Sequence, residues 1–417
     1  MQYEDPVNDR PQAALSVGEF VALMALTMSL TALSIDAMLP ALPFIASELG
    51  AANPNDGQLV LSAMFVGFAF GQLYFGPLSD SVGRKAALYT GIAIFIAGCG
   101  LSIAATDFQT MLLGRLLQGI GAAAPRVVTL ALVRDQYSGA DMARIMSMVA
   151  AVFVLIPAAA PALGQLLMWV SGWRAIFVML LTQALVVALW LGVRQRETLK
   201  PEFQIPLSLG GIGRGIATVC RHRVAAGYTV TSGFVFAGLV GYIMSAQQIF
   251  QGLYGVGDAF PAYFAVLALT IGIASVVNSR LVRRLGMRRL SYAAVVCITG
   301  ASMLFLAFAH AHGGRPPLWS LMALLLMIFF SIGVLFGNLN SMAMEPLGHM
   351  AGAGSAVVGA GSSLVSMGLG TAIGQLYDGT VLPMVSGFAA LGLLSLLLMR
   401  FVEAGSPAST AVAARSA

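Results

Sequence analysis

The sequence predicts an all-α membrane protein with twelve transmembrane helices in two pseudo-symmetric six-helix bundles. Three observations carry this expectation. The 417 residues are 58% hydrophobic and only 9% charged, with mean hydropathy +0.87, whereas a soluble domain carries about 25% charged residues. Apolar runs long enough to cross a bilayer occur six times on each side of a central polar stretch. Lysine and arginine outside those runs gather almost wholly in alternate loops.

The first six runs fall at about 17–42, 57–78, 86–105, 108–132, 143–169 and 173–193. The second six fall at about 224–250, 259–279, 290–310, 318–342, 353–377 and 381–401. The expected organisation is a cytoplasmic tail at 1–16, an N-terminal bundle at 17–193 and a cytoplasmic linker at 194–223. A C-terminal bundle at 224–402 and an Ala- and Ser-rich disordered tail at 403–417 complete it. The start of the chain is polar and acidic, unlike a secretory signal peptide, so the first run is expected to be retained.

Eighteen basic residues lie in one alternate set of loops and at the chain ends, against Arg174 and Arg315 in the other set. The positive-inside rule then places both termini and the linker in the cytoplasm. With the charges there, the net charge of +5 does not indicate nucleic acid. Cys99, Cys220 and Cys297 are far apart and show no metal or disulfide spacing. No Gly-x-x-x-x-Gly-Lys-Ser/Thr loop for ATP is present, and no nucleophile constellation suggests an enzyme. The expected partners are a small-molecule substrate and the lipid bilayer, for a monomer with the proton as its coupling ion and no other cofactor.

A census of acids isolates Asp36. Every other Asp and Glu falls in a loop, a tail or near a helix end, while Asp36 lies inside the first run. A carboxylate there costs about 3 kcal/mol or more, which makes it a functional-site candidate. Arg115 is buried in the fourth run at similar depth. An ion pair with Asp36, direct or through Gln118 or water, is geometrically possible. It would couple protonation to conformation, or else fix the packing of the two helices. Arg126 lies 11 residues after Arg115, close to three helical turns, so both arginines face one side. Arg126 either lines a substrate cavity or snorkels to the interface. Pro157, Pro161 and Gly164 interrupt the fifth run, where they permit bending and close packing. Thr231, Gly238, Tyr242 and Ser245 form a small-and-polar stripe, and Asn338 and Asn340 lie in the tenth run. These either contact substrate or hydrogen-bond between helices.

A weak internal repeat relates the two halves. Gly76-Pro77-Leu78-Ser79-Asp80-Ser81-Val82-Gly83-Arg84-Lys85 follows the second run, and Ser279-Arg280-Leu281-Val282-Arg283-Arg284-Leu285-Gly286-Met287-Arg288 follows the eighth. The Leu, the second Gly and the basic end recur in register. Paired six-helix halves are a transporter architecture.

These residues resemble the major facilitator superfamily over nearly the whole chain. Gly76, Leu78, Asp80, Gly83, Arg84 and Lys85 match its loop 2–3 signature. The stretch from Leu112 to Ala122, with Arg115 at its centre, resembles the helix 4 signature linked to proton coupling. Ala160-Pro161-Ala162-Leu163-Gly164 resembles the helix 5 antiporter motif, with Gln165 where a second Gly is common. Ile35 to Pro43 and Val133-Arg134-Asp135 resemble the bicyclomycin- and chloramphenicol-resistance (Bcr/CflA) branch of drug:proton antiporters, with Met38 where a Tyr is frequent. The resemblance implies multidrug efflux and antibiotic resistance from the bacterial cytoplasmic (inner) membrane. It makes Asp80 and Arg84 gating residues, with Gly76, Gly83 and Arg134 grouped beside them, and Arg115 a proton-coupling residue alongside Asp36 and Gln118 from the charge argument. Proton-coupled uptake and a non-transporting sensor on the same fold are the rival readings.

Overall fold

Hydrocarbon offers no water to an unpaired N–H or C=O, so each apolar run must close its own hydrogen bonds as a helix. A computed structural model of the protein describes residues 15–53 and 55–404. The predicted disordered tails lie almost wholly outside the described residues. The first span is α1 (Val17–Asp36) with a short continuation, α2 (Leu42–Glu48). Next come α3 (Leu59–Val82), α4 (Arg84–Ile103), α5 (Phe108–Gln136), α6 (Gly139–Ser171) and α7 (Arg174–Arg194). A linker helix, α8 (Leu209–Arg221), leads to α9 (Arg223–Gln247), α10 (Phe260–Leu285) and α11 (Met287–Ala311). The chain ends with α12 (Leu318–Met344), α13 (Ala351–Gln375) and α14 (Leu382–Ala404). Among the described residues, eleven spans are long and apolar enough to cross a membrane by length and composition, and α6, a helix of 33 residues, adds a shorter apolar stretch at Leu155–Ser171.

The two halves repeat the same packing. α3 and α4 both pack on α5, as α10 and α11 pack on α12. α1 packs on α6, as α9 packs on α13, and α4 meets α7 as α11 meets α14. The halves then touch through an equivalent pair of seams, α3 with α13 and α6 with α10. The loop repeat has a structural counterpart. A single glycine joins α3 to α4 and another joins α10 to α11: Gly83 at φ +100° and Gly286 at φ +80°. Only glycine adopts such backbone without strain.

α8 was not expected from the sequence. Its start, Leu209-Gly210-Gly211-Ile212-Gly213-Arg214-Gly215, has the poor helix propensity of glycine. Ser208 accepts from the Gly211 N–H at 3.1 Å, capping the helix. Gly215 and Val219, one turn apart, are buried, and the helix packs on α13. We call the end of the bundle that carries the start of α1 and the end of α14 the terminal face, and the opposite end the far face.

Candidate functional site

The first span is broken inside the bundle, and the break starts at Asp36. α1 ends there, and two turn residues and a 3-10 turn (Leu39–Ala41) intervene before α2. Pro40 explains this. It has no N–H to offer the Asp36 carbonyl, and its ring crowds that same carbonyl. Asp36 is 6% exposed, and it is the one buried carboxylate among the described residues. No ion pair joins it to another described residue.

Arg115 does not pair with Asp36 directly. Its Nη2 donates at 2.8 Å to the Ser34 carbonyl, one of the acceptors left open where α1 stops. Its Nε donates to the Val60 carbonyl at 3.1 Å and its Nη1 to Gln118 Oε1 at 2.6 Å. Gln118 Nε2 donates in turn to Ser102 Oγ on α4 at 3.3 Å. A cation at a helix C-terminus is favourable. Arg115 thus caps the broken end of α1 and ties it to α3 and α5. Similar depth brings the two charges near one another, but the guanidinium takes a backbone carbonyl as its acceptor.

Gly164 lies against the other side of the break. A Cβ at this position would overlap the Ala37 carbonyl, so α6 reaches α1 only because residue 164 is glycine. Pro157 and Pro161 lie within the helix about two turns and one turn before it, respectively. The antiporter-like motif and the candidate proton carrier are therefore neighbours in space. Both ends of the first span are clasped to α7. Glu48 accepts from Trp173 Nε1 at 2.7 Å and Arg174 Nη1 at 2.5 Å. Glu19 accepts from Trp190 Nε1 at 3.2 Å and Arg194 Nε at 2.7 Å. The ends are held, and the irregular segment lies between them.

The remaining predicted cavity residues disperse. Tyr242 is 1% exposed within an aromatic cluster, stacked on Phe264 with edge contacts to Phe250 and Phe329. Asn338 is buried and exchanges reciprocal hydrogen bonds with Asn278 of α10, at 3.0 and 3.1 Å. That makes Asn338 a helix-packing residue in this conformation. Asn340 is exposed on the terminal-face half of α12, and Arg126 is half-buried on α5.

Two polar clusters lie at the ends of the bundle. At the far face, Gln58 Nε2 donates to Gln248 Oε1 at 2.6 Å, and Gln248 Nε2 donates to Asn55 Oδ1 at 2.9 Å. Asn55 Nδ2 donates to the carbonyls of Gln375 and Tyr377 at 3.0 and 2.9 Å. Gln375 Nε2 returns a bond to the Asn55 carbonyl at 3.0 Å. This carboxamide clasp joins the start of α3 to α13 and to the π-helical turn Gln248–Leu253 that ends α9. No sequence pattern marks it, because isolated Asn and Gln at helix ends are common.

The terminal-face cluster is charged. Arg84 donates to Asp135 Oδ2 at 2.9 Å, to Ser79 Oγ at 2.9 Å, and to Asp80. Glu197 accepts from the backbone N–H groups of Arg84 and Lys85, each at 2.9 Å, capping α4. Burial pushes the Glu197 carboxyl up, but the N–H groups of Leu199, Lys85, Arg84 and Thr198 together hold it below the usual carboxylate range. A Cβ on Gly83 would meet Glu197 Oε2 at 2.6 Å, so this residue needs glycine for space as well as for φ. Gly76 lies close to Ala356 of α13, where a Cβ would make ordinary contact at 3.5 Å. Arg134 is exposed at the end of α5, and its neighbour Asp135 makes the contact with Arg84 instead. Asp135 and Glu197 are members of this cluster that the charge census left among ordinary loop acids. No packed seam forms between α5 and α12.

Twelve spans in two equivalent halves, a discontinuous helix with a buried carboxylate, and a glycine-hinged loop in each half define the architecture of a secondary transporter. The Major Facilitator Superfamily model matches residues 24–371, and the chain belongs to that superfamily of multi-pass membrane transporters. It is 31% identical to the uncharacterized MFS-type transporter YdgK of Bacillus subtilis, over 81% of this chain and 84% of the relative. It is 29% identical to the bicyclomycin resistance protein homolog of Haemophilus influenzae, over 92% and 96%. The chloramphenicol resistance protein of Pseudomonas aeruginosa is 33% identical over 64% of this chain and 62% of its own length. The crystal structure of the human organic anion transporter MFSD10 (TETRAN) matches with a TM-score of 0.69 over 93% of this chain and 100% of that one. At 18% identity that likeness is one of fold alone.

Proposed function

We propose that the protein is a proton-coupled secondary transporter that exports small amphiphilic drugs or metabolites by alternating access. The observation that carries this is Asp36: a lone buried carboxylate, at a break in a spanning helix, with no ion-pair partner among the described residues. Such a group can be neutral when protonated and costly when charged. Its occupancy can therefore bias the arrangement of the helices around it. Relatives named for bicyclomycin and chloramphenicol resistance support a drug-like substrate.

The terminal face is cytoplasmic in a bacterial inner membrane, a reading that the basic loops support. The carboxamide clasp is then the outer gate, closed in this conformation. Arg84, Asp80 and Gly83 form the first half's side of the inner gate and stay bonded to their own half while the halves separate there, and Gly76 faces Ala356 of α13. Arg115 and Gln118 act as fixed supports that hold the broken end of α1 in place while Asp36 changes charge. The segments 17–193 and 224–402 move against one another as rigid halves tethered by 194–223, and the working unit is a monomer. Protons would enter Asp36 from outside and leave inside, while substrate takes the opposite path.

The test is transport in proteoliposomes with an imposed pH gradient. Export of a drug-like substrate driven by inward protons supports the proposal. Co-directional movement would replace it with uptake, and absence of flux for every substrate screened would favour a sensor.

A further inference from the structure

Asp36 and Tyr242 occupy equivalent places in the two halves. α1 and α9 are the first spans of their bundles and pack on equivalent neighbours. Asp36 is the twentieth residue of α1, and Tyr242 is the twentieth of α9. At 1.5 Å per residue both lie about 30 Å from the start of their helix, so they share one depth. The 3-10 turn that follows Asp36 packs directly on α9. The Tyr242 hydroxyl is buried and has no hydrogen-bond partner among the described residues. Its ring is fixed by Phe250, Phe264 and Phe329. A buried hydroxyl without a partner costs free energy, so its position calls for an acceptor in another state of the cycle.

We infer that the Tyr242 hydroxyl donates a hydrogen bond to the deprotonated Asp36 carboxylate across the two bundles, and that this bond holds the empty carrier closed at the far face. The inference rests on the proposal that Asp36 carries the proton. The Asp36 proton leaves to water on the cytoplasmic side, and Tyr242 keeps its own proton throughout. Without such a bond, an empty, deprotonated carrier could reopen outward, take up a proton and return, which dissipates the gradient. Substrate arriving from the cytoplasm would displace Tyr242 from Asp36 and release the lock. Tyr242 is then a positioning residue for coupling.

Other groups near Asp36 are otherwise engaged. Arg115 on α5 is bonded to Ser34, Val60 and Gln118, and Cys99 on α4 lies beyond Arg115. Arg126 stands further along α5 towards the terminal face. α6 and α7 carry charged residues only near their ends, as does α14, while α12 and α13 carry none.

The experiment measures collapse of a pH gradient in proteoliposomes without substrate, using an internal pH-sensitive dye. Tyr242→Phe keeps the ring packing and removes only the hydroxyl. The expected result is a proton leak about tenfold faster than wild type, from loss of one hydrogen bond to a charged group. The double variant Tyr242→Phe with Asp36→Asn should be as tight as wild type, because the leak needs the carboxylate. A Tyr242→Phe protein as tight as wild type would overturn the inference, as would a leak that persists in the double variant. If Asp36→Asn alone retains gradient-driven transport, the underlying proton-site reading fails instead.

Discussion

The far face and the terminal face carry opposite chemistries. At the far face, neutral carboxamides from α3 and α9 and carbonyls after α13 bond directly across the two halves. At the terminal face, Arg84, Asp80, Asp135 and Glu197 bond within the first half and the start of the linker. The difference separates what can be released from what is built to stay. A neutral hydrogen bond contributes about 1 kcal/mol net, so a clasp of several can form and break within one cycle. A half-buried charge cluster that loses one member leaves the others unpaired, which is far costlier. Charge at the terminal face therefore stabilises one half, and neutral bonds at the far face join the two.

The largest effect should come from the helix contact midway between these faces. Gly164→Leu forces α6 away from the Ala37 backbone. Gradient-driven transport should be lost with membrane insertion retained, as read by flux and by detergent size-exclusion profile. Gly164→Ala should cost about 1–3 kcal/mol of stability by overpacking and retain partial flux. Next is the neutral clasp. Asn55→Ala removes donors to both Gln375 and Tyr377, and about 2 kcal/mol of closure corresponds to roughly 30-fold more far-face opening. Labelling of a cysteine at Met244 by an impermeant reagent from that side should rise accordingly in a background lacking Cys99, Cys220 and Cys297. Unchanged labelling would mean that the clasp does not hold the halves together.

The charged cluster should respond in stability rather than in labelling. Glu197→Ala removes the cap of α4 and should cost about 1–2 kcal/mol, seen as a lower unfolding temperature. Because the folded Glu197 carboxyl is held below its ordinary value, its stabilisation is present above about pH 4.3 and is lost as pH falls through the folded value. The wild type and Glu197→Gln should therefore converge in unfolding temperature under strongly acidic conditions and diverge near neutrality. This is the smallest of the expected effects.

Composition and loop charges made the twelve spans and their two-fold arrangement legible. The loop repeat pointed to two equivalent glycine links, at Gly83 and Gly286. Asp36 stood out because a carboxylate in hydrocarbon is rare at any spacing. What stayed hidden depended on partners far apart in sequence. The carboxamide clasp joins residue 55 to residue 248 and the 375–377 segment, and no local pattern marks it. Arg115 was placed at the correct depth, but its acceptor is a backbone carbonyl freed by Pro40, which only the break in α1 exposes. Asn338 found Asn278, a residue that no motif had singled out. α8 was concealed by its glycines.

The central claim is that Asp36 carries the coupling proton at the break in the first span. The most direct measurement compares wild type and Asp36→Asn in proteoliposomes, following substrate-dependent proton movement under an imposed pH gradient. The account predicts that the variant inserts and folds as wild type does, yet shows no proton flux on substrate addition and no gradient-driven export. Wild-type proton flux coupled to export in Asp36→Asn would contradict it.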